Sequence, residues 1–168
     1  VKGLLTFSRW GAFELKPVSL ARVVEEILLL TRHDYEREKK ELSWVPPAAE
    51  VWAQGDFGSL QQVLVNLLKN AREALPEGGK AAVTVGHEGA WAWLEVSDNG
   101  SGMDAATQRR LFEPFFTTKE VGKGTGLGLS ICWSILEKHG GKIEVKSSVG
   151  AGSAFRCLLP VVAEGGPG

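Results

Sequence analysis

Three groups of residues carry types and spacings suited to chemistry. Gln62, Asn66, Asn70 and Glu73 fall, at about 100° per residue, on one helical arc narrower than a quarter-turn. Asn is a poor helix former because its amide competes with the backbone. Two of them at i and i+4, bordering an apolar face, ask for a partner. Solvated or capping amides are one reading of the stripe. A seat for a hydrated cation and phosphate oxygens is the other, since Mg²⁺ takes oxygen ligands and keeps several waters. The second group is Asp98-Asn99-Gly100-Ser101-Gly102-Met103, directly after an expected strand. A carboxylate there offers an acceptor to an amino donor, and Gly100 and Gly102 let a flat ring lie against bare backbone. Asp-Asn-Gly is also an ordinary turn. The stretch reads G-x-G-x-x-A as well, but its strand belongs to a hairpin and its helix is too short for a dinucleotide-binding βαβ unit.

The third group is Gly122-Lys123-Gly124-Thr125-Gly126-Leu127-Gly128-Leu129-Ser130, which opens a helix. Its glycines expose backbone N–H groups, and the helix N-terminus adds partial positive charge, so it suits an anion. No G-K-[ST] follows any glycine run, so this is not a P-loop. A flexible hinge is the alternative. Between the second and third groups lies Leu111-Phe112-Glu113-Pro114-Phe115-Phe116-Thr117-Thr118-Lys119. Three phenylalanines around one proline read as a hydrophobic latch, as core packing, or as both.

The elements that must hold these groups follow from periodicity and breakers. Val1 to Arg9 reads as the tail of a helix, and residues 10–17 as a linker. Ser19 is placed as an N-cap, with Val18 and Val23 as a hydrophobic staple. Apolar positions 20, 23, 24, 27, 28 and 31 then keep helical spacing to about residue 37. Short strands are expected at 40–45 and 50–53, around Pro46-Pro47. A helix from Asp56 or Ser59 to Leu75 puts Leu60, Val63, Leu64, Leu67, Ala71, Ala74 and Leu75 on one face. Pro76 and Gly78-Gly79 stop it. Segments 81–88 and 90–97 form a hairpin around Glu88-Gly89, in which Trp91 and Trp93 at period two mark a buried face. A loop and short helix occupy 98–111, and 112–125 reads as a mobile loop. A helix over 126–139, strands at 142–147 and 153–159, and a frayed tail from 161 complete the chain.

Composition narrows the classes. The chain has 168 residues and 18.1 kDa, enough for one domain with a real core. Apolar residues make up 43% and charged ones 23%, which excludes a disordered or fibrous chain. A net charge of -1 and a pI near 6.4 argue against nucleic acid or an anionic membrane as partner. The aliphatic runs are only a few residues long, so no membrane contact is expected. The absence of an initiator Met suggests an excised piece of something longer. Cys132 and Cys157 are too few for a disulfide framework and read as reduced core residues in a cytoplasmic protein. Glycine is the outlier, at 21 residues, against a usual ~7%.

Four segments in order carry a resemblance. Asn-Leu-Leu-Lys-Asn-Ala (66–71), Asp-Asn-Gly-Ser-Gly-Met (98–103), Phe-Glu-Pro-Phe-Phe (112–116) and Gly-Thr-Gly-Leu-Gly-Leu (124–129) resemble the N, G1, F and G2 boxes of sensor histidine kinases. Gly152-Ser153-Ala154-Phe155 with Leu159-Pro160 is similar to the last box. The forms Asn-Ala-Arg-Glu-Ala and Phe-Phe-Thr-Thr-Lys look most like the nitrogen-regulatory and dicarboxylate-sensing branch.

The resemblance implies an ATP-binding catalytic domain of the GHKL superfamily at residues 15–160. Its fold would be an α/β two-layer sandwich, a mixed and mostly antiparallel sheet covered on one face by about three helices. Residues 1–14 would be the end of a dimerisation hairpin and a linker, and 161–168 a tail. ATP and Mg²⁺ are the implied cofactors. Asp98 would accept from the adenine amino group, Asn70 would ligand Mg²⁺, and Asn66 would support the phosphates. Gly100, Gly102, Met103 and Ser153 would also be ATP-binding. Phe112, Phe115, Thr118, Lys119 and Lys123 would be ATP-binding residues of a lid over 112–125. Gly124, Gly126 and Gly128 would border the triphosphate, and Thr125, Leu127 and Leu129 would also bind ATP. Implied partners are the chain's own upstream phosphoacceptor helices and the receiver domain of a response regulator. The full-length protein is expected to be a homodimer, and this piece a monomer.

Departures from the family pattern carry information. Glu73 stands where many members have a Lys, which leaves Lys119 and Lys123 as replacement candidates. Asn66 occupies the place of the Glu base found in the superfamily's ATP hydrolases, against fast water activation. His33, His87 and His139 all lack the acceptor motif, so the phosphorylated His is expected upstream. His139 is expected at a helix C-terminus, where a partly positive ring would suit the dipole. A regulatory nucleotide-binding module, or a hydrolase or serine kinase of the superfamily, remains as an alternative.

Overall fold

A computed structural model describes residues 13–116 and 128–162. In chain order its elements are β1 (Lys16–Ser19), α1 (Leu20–Arg37), β2 (Glu41–Trp44), β3 (Trp52–Gly55), α2 (Phe57–Ala74), β4 (Lys80–Glu88), β5 (Trp91–Asp98), α3 (Ala105–Arg110), α4 (Gly128–Lys138), β6 (Lys142–Ser148) and β7 (Gly152–Pro160). Capping chemistry starts the two long helices. Ser19 Oγ accepts from the Arg22 amide, and Asp56 accepts from the Ser59 amide at 3.0 Å. Val18 and Val23 are both buried, as a staple requires.

Five strands form one sheet in the order β2-β4-β5-β7-β6, with only the β2–β4 pair parallel. Alternation fills one face of it: Ala81, Val83 and Val85 of β4, Ala92, Leu94 and Val96 of β5, and Phe155, Cys157 and Leu159 of β7 are buried. Helices α1, α2 and α4 cover that face, giving the expected two-layer α/β sandwich with a mixed sheet.

Two expectations are corrected here. The linker reading of residues 10–17 missed β1, which pairs antiparallel with β3 in a separate two-stranded sheet. A four-residue edge strand containing Pro17 carries almost no periodic signal, and Pro is tolerated there because an edge needs fewer donors. Trp91 and Trp93 lie on the half-exposed face of β5, not on the buried one. Trp93 lies across Gly86, where an added Cβ would come within 2.5 Å of its ring. The Arg156 guanidinium stacks over Trp93 at 4.0 Å, so the ring is satisfied without burial.

Candidate functional site

The polar stripe and the glycine-rich turn are joined through α2. Behind the helix, the Tyr35 hydroxyl donates to the Leu68 carbonyl at 2.7 Å and Lys40 Nζ donates to the Arg72 carbonyl at 2.8 Å. Glu38 pairs with both Lys40 and Arg72. These bonds fix the C-terminal half of α2 from the side away from the stripe. The loop after β5 rests on the same end: the Ser101 amide donates to the Ala74 carbonyl at 3.4 Å. A Cβ on Gly100 would come within 2.4 Å of that carbonyl oxygen, so only glycine permits this seat. Gly102 has φ +70 and would place a Cβ 1.9 Å from the Ser148 carbonyl.

Asp98 ends β5 opposite Ser153 of β7. Burial pushes its carboxyl above the usual range, opposed by hydrogen bonds from the Gly100 and Ser153 amides. The Gly100 amide donates at 2.8 Å. A carboxylate has about four lone-pair sites, so acceptor capacity remains for a ligand. Met103 packs against the core beside this loop, and its amide donates to Ser147 Oγ at 2.8 Å. Ser147 Oγ also bonds the Gly152 carbonyl at 3.0 Å and Ser153 Oγ at 2.9 Å. An open hollow of about 470 Å³ lies at this end of the sheet, bounded by Asp98, Ser97, Lys146, Ser148 and Ser153.

The sequence gives no sign of Ser147 as a member of the site. It sits in an unremarkable Lys-Ser-Ser strand end, and only the pairing of β6 with β7 brings it to Met103. Gln108 was missed for the same reason; its Nε2 donates to the carbonyls of Met103 and Ser147.

Asn66 accepts from Gln62 at 3.2 Å and donates from Nδ2 to the Gly128 carbonyl at 3.3 Å. It therefore ties the stripe to the first residue of α4. Asn70 is half-exposed one turn further on, and Leu129 is half-buried against the core. The structure thus gathers Asn66, Asn70, Asp98, Gly100, Gly102, Met103, Gly128, Leu129 and Ser153 around α2 and one end of the sheet. Phe112 instead packs against Trp133 of α4, ring centroids 5.0 Å apart, and Phe115 is 73% exposed. Thr118, Lys119, Lys123, Gly124, Thr125, Gly126 and Leu127, and with them most of the expected lid, lie outside the described residues.

Several titratable groups are structural. Burial pushes the Cys132 thiol up to about 12 and the Cys157 thiol well above its usual range, so both stay protonated in the core. His139 corrects the expectation of a partly positive ring. Desolvation holds its pKa down, and its partners require the neutral form. The Asp56 amide is an obligate donor, 3.0 Å from Nε2, and Nδ1 lies 2.8 Å from the Ile135 carbonyl. Nδ1 must then carry the proton. Among the described residues no group of three or more His, Cys, Asp and Glu is arranged to hold a metal. No helix of the described residues is long and apolar enough to cross a membrane.

A family model of histidine kinase-, DNA gyrase B-, and HSP90-like ATPases matches residues 55–163. Over 180 residues the chain is 36% identical to the sensor kinase CckA of Brucella abortus (strain 2308), covering 98% of this chain and 19% of that protein. It is 37% identical over 161 residues to the sensor histidine kinase ZraS of Escherichia coli (strain K12), covering 96% of this chain and 34% of that one. The chain thus spans about a fifth to a third of these relatives. Among solved structures, the catalytic domain of histidine kinase ThkA superposes with a TM-score of 0.79 at 31% identity, covering 88% of this chain and 95% of that one. A structure of ThkA in complex with the response regulator TrrA matches with a TM-score of 0.78 at 28% identity, over 96% of this chain and 46% of that one.

Proposed function

The chain belongs to the family of histidine kinase-, DNA gyrase B-, and HSP90-like ATPases, as a sensor histidine kinase catalytic domain, and from this we propose how its own residues serve phosphoryl transfer. In this reading the domain binds Mg-ATP and presents the γ-phosphate to a histidine on an upstream dimerisation helix. A response regulator aspartate then receives it, in a cytoplasmic two-component relay run by a homodimer. One observation carries the reading: the Asp98–Gly102 loop is seated on the same α2 end that carries Asn70, so base and phosphate groups share one rigid support.

The residues present fit the ligand. Asp98 retains acceptor capacity in a partly desolvated setting, which suits the adenine amino group. Gly100 and Gly102 seat the loop against the Ala74 and Ser148 carbonyls, and Ser153 and Met103 stand beside Asp98 where the ring would lie. The Asn70 carbonyl is a hard oxygen donor of the kind Mg²⁺ takes beside water and phosphate. The bound cation would neutralise charge on the β- and γ-phosphates.

The chain's own work is positioning. Asn66 holds Gly128, and with it the start of α4, against the stripe. Its carboxamide has no useful basicity, so α2 supplies no base at this position to activate water. Phosphoryl transfer needs little covalent chemistry from the protein, and a site of amides and backbone N–H groups is adequate. Gly124 to Gly128, with Thr118, Lys119, Lys123 and Thr125, are proposed to border the triphosphate.

The test is transfer from Mg-ATP to a separately supplied dimerisation hairpin. Acid-labile label on the hairpin, with none on this chain alone, is expected. Nucleotide binding without transfer would leave a regulatory module; free phosphate or acid-stable label would point to a hydrolase or serine kinase.

A further inference from the structure

Helices α2 and α4 run antiparallel and are joined by polar links at three levels. The Asp56 amide at the N-cap of α2 donates to His139 Nε2 just past the end of α4, at 3.0 Å. Midway, Cys132 Sγ lies 3.7 Å from the Val63 carbonyl. At the far level Asn66 Nδ2 donates to the Gly128 carbonyl at 3.3 Å. Seven and then three residues along α2 answer seven and then four along α4. At about 1.5 Å per residue both paths are roughly 15 Å long. Sliding one helix along the other therefore cannot break one link and spare the rest.

The first level is also where Phe13 and Glu14 dock. The Phe13 ring meets the His139 ring edge-on, centroids 4.8 Å apart, and Lys138 Nζ lies 4.8 Å from the Phe13 centroid. The Glu14 amide donates to Asp56 Oδ1 at 3.2 Å, while Asp56 Oδ2 is held by the Ser59 amide and hydroxyl. His139 is buried, and its ring lies against Gly55, where an added Cβ would come within 3.3 Å of it.

We propose that Phe13 and Glu14, docked on the His139–Asp56 joint, set the register of α4 on α2 and thereby the Asn66–Gly128 spacing at the phosphate end. His139 is then a positioning residue, and the docking of Phe13 and Glu14 is a regulatory input to the nucleotide site. The inference rests on the Mg-ATP reading for its consequence but not for its geometry. The charged and titratable groups around the imidazole are Asp56, Glu14 and Lys138. A proton on Nε2 would set N–H against N–H at Asp56 and open the first level.

Phe13→Ala removes the cap without entering the core. In the 168-residue chain it is expected to weaken Mg-ATP about fivefold, the lower end of ordinary coupling between sites. Adenosine, which reads only the base end, should bind unchanged. In an Asn66→Ala background the Phe13→Ala effect should vanish, because the last link is already gone. His139→Gln, whose side-chain oxygen accepts from the Asp56 amide, should stay near the parent, whereas His139→Leu should match or exceed Phe13→Ala. A nucleotide-free readout separates the two claims: Phe13→Ala should shift the Asn66 side-chain amide signals in ¹⁵N spectra. Shifted signals in a chain that binds no Mg-ATP would sink the nucleotide reading and leave the coupling standing. Unmoved Asn66 signals, equal losses for adenosine and Mg-ATP, or an undiminished effect in the Asn66→Ala background would each overturn the coupling.

Discussion

Replacing Asp98 by Asn removes the charge while keeping the shape. The carboxylate takes the Gly100 and Ser153 amides and still has lone pairs for a ligand. The Asn carboxamide has one oxygen; if it keeps the Gly100 N–H, its NH₂ faces either Ser153 N–H or the adenine amino group, donor against donor. The lost bond to a charged acceptor corresponds to about 1.5–3 kcal/mol, or roughly ten- to 150-fold in the Kd of ATP. Guanine turns a carbonyl toward this position, so GTP should bind weakly to the parent and lose far less. Stability should move by less than about 1 kcal/mol, because losing an amide bond is offset by no longer burying a charge. Titration calorimetry with Mg-ATP and Mg-GTP, alongside urea melts, measures all three quantities. Equal losses for the two nucleotides would show that Asp98 does not read the base. A collapse in stability would show that its role is structural.

The raised pKa of Asp98 means that burial in the empty domain lets the carboxyl hold its proton to a higher pH than a free side chain would. Adenosine affinity should therefore rise with pH from about 4 through the raised value, and a flat profile in calorimetry would contradict this. His139 has the opposite sign: its folded pKa lies below the unfolded value of about 6.5, so the unfolded state binds more protons there and stability falls as pH drops below that value. The urea midpoint of the parent should fall more between pH 7 and 5 than that of His139→Gln; parallel curves would refute the assignment. Gly102→Ala should lose well over 1 kcal/mol, since φ +70 and a 1.9 Å approach to Ser148 oppose any Cβ, and a thermal melt within 1–2 °C of the parent would refute it. Tyr35→Phe should cost about 1 kcal/mol in urea melts by removing the bond to Leu68, and an unchanged midpoint would show that the bond does not hold α2.

The long helices were legible because two signals coincide in each. Ser19 and Asp56 cap helices whose apolar spacing is also unambiguous, and α2 alone carries both halves of the site's polar stripe. The Asp98–Met103 segment alone reads equally as an ordinary turn, and it was legible as chemistry only in order with the other three segments. What was not legible depends on partners distant in the chain. β1 exists because β3 is there to pair with it, and period two in β5 could not reveal which face the helices would cover. Ala92 fits beneath a helix layer; Trp93 fits over Gly86 and under Arg156. The charge of His139 likewise turned on the Asp56 amide, 83 residues away in sequence.

The perturbed groups divide by what they face. Tyr35, Cys132 and Cys157 are all shifted upward by burial, and the first two hydrogen-bond α2 carbonyls. They hold helices in place and have no access to a ligand. Asp56 and Asp104 are shifted downward by helix-capping bonds, even though burial opposes this at Asp56. Among the described residues Asp98 is the one carboxylate shifted upward, and it stands at the mouth of an open hollow instead of under a helix. A charge kept partly desolvated beside glycine backbone gains most when a donor arrives to pair with it, which is how a binding carboxylate differs from a capping one. Its seat on the end of α2 then matters as much as its charge. The same helix end is gripped from behind by Tyr35 and Lys40, so the spacing between the Asp98 loop and Asn70 is set by packing that no ligand has to create.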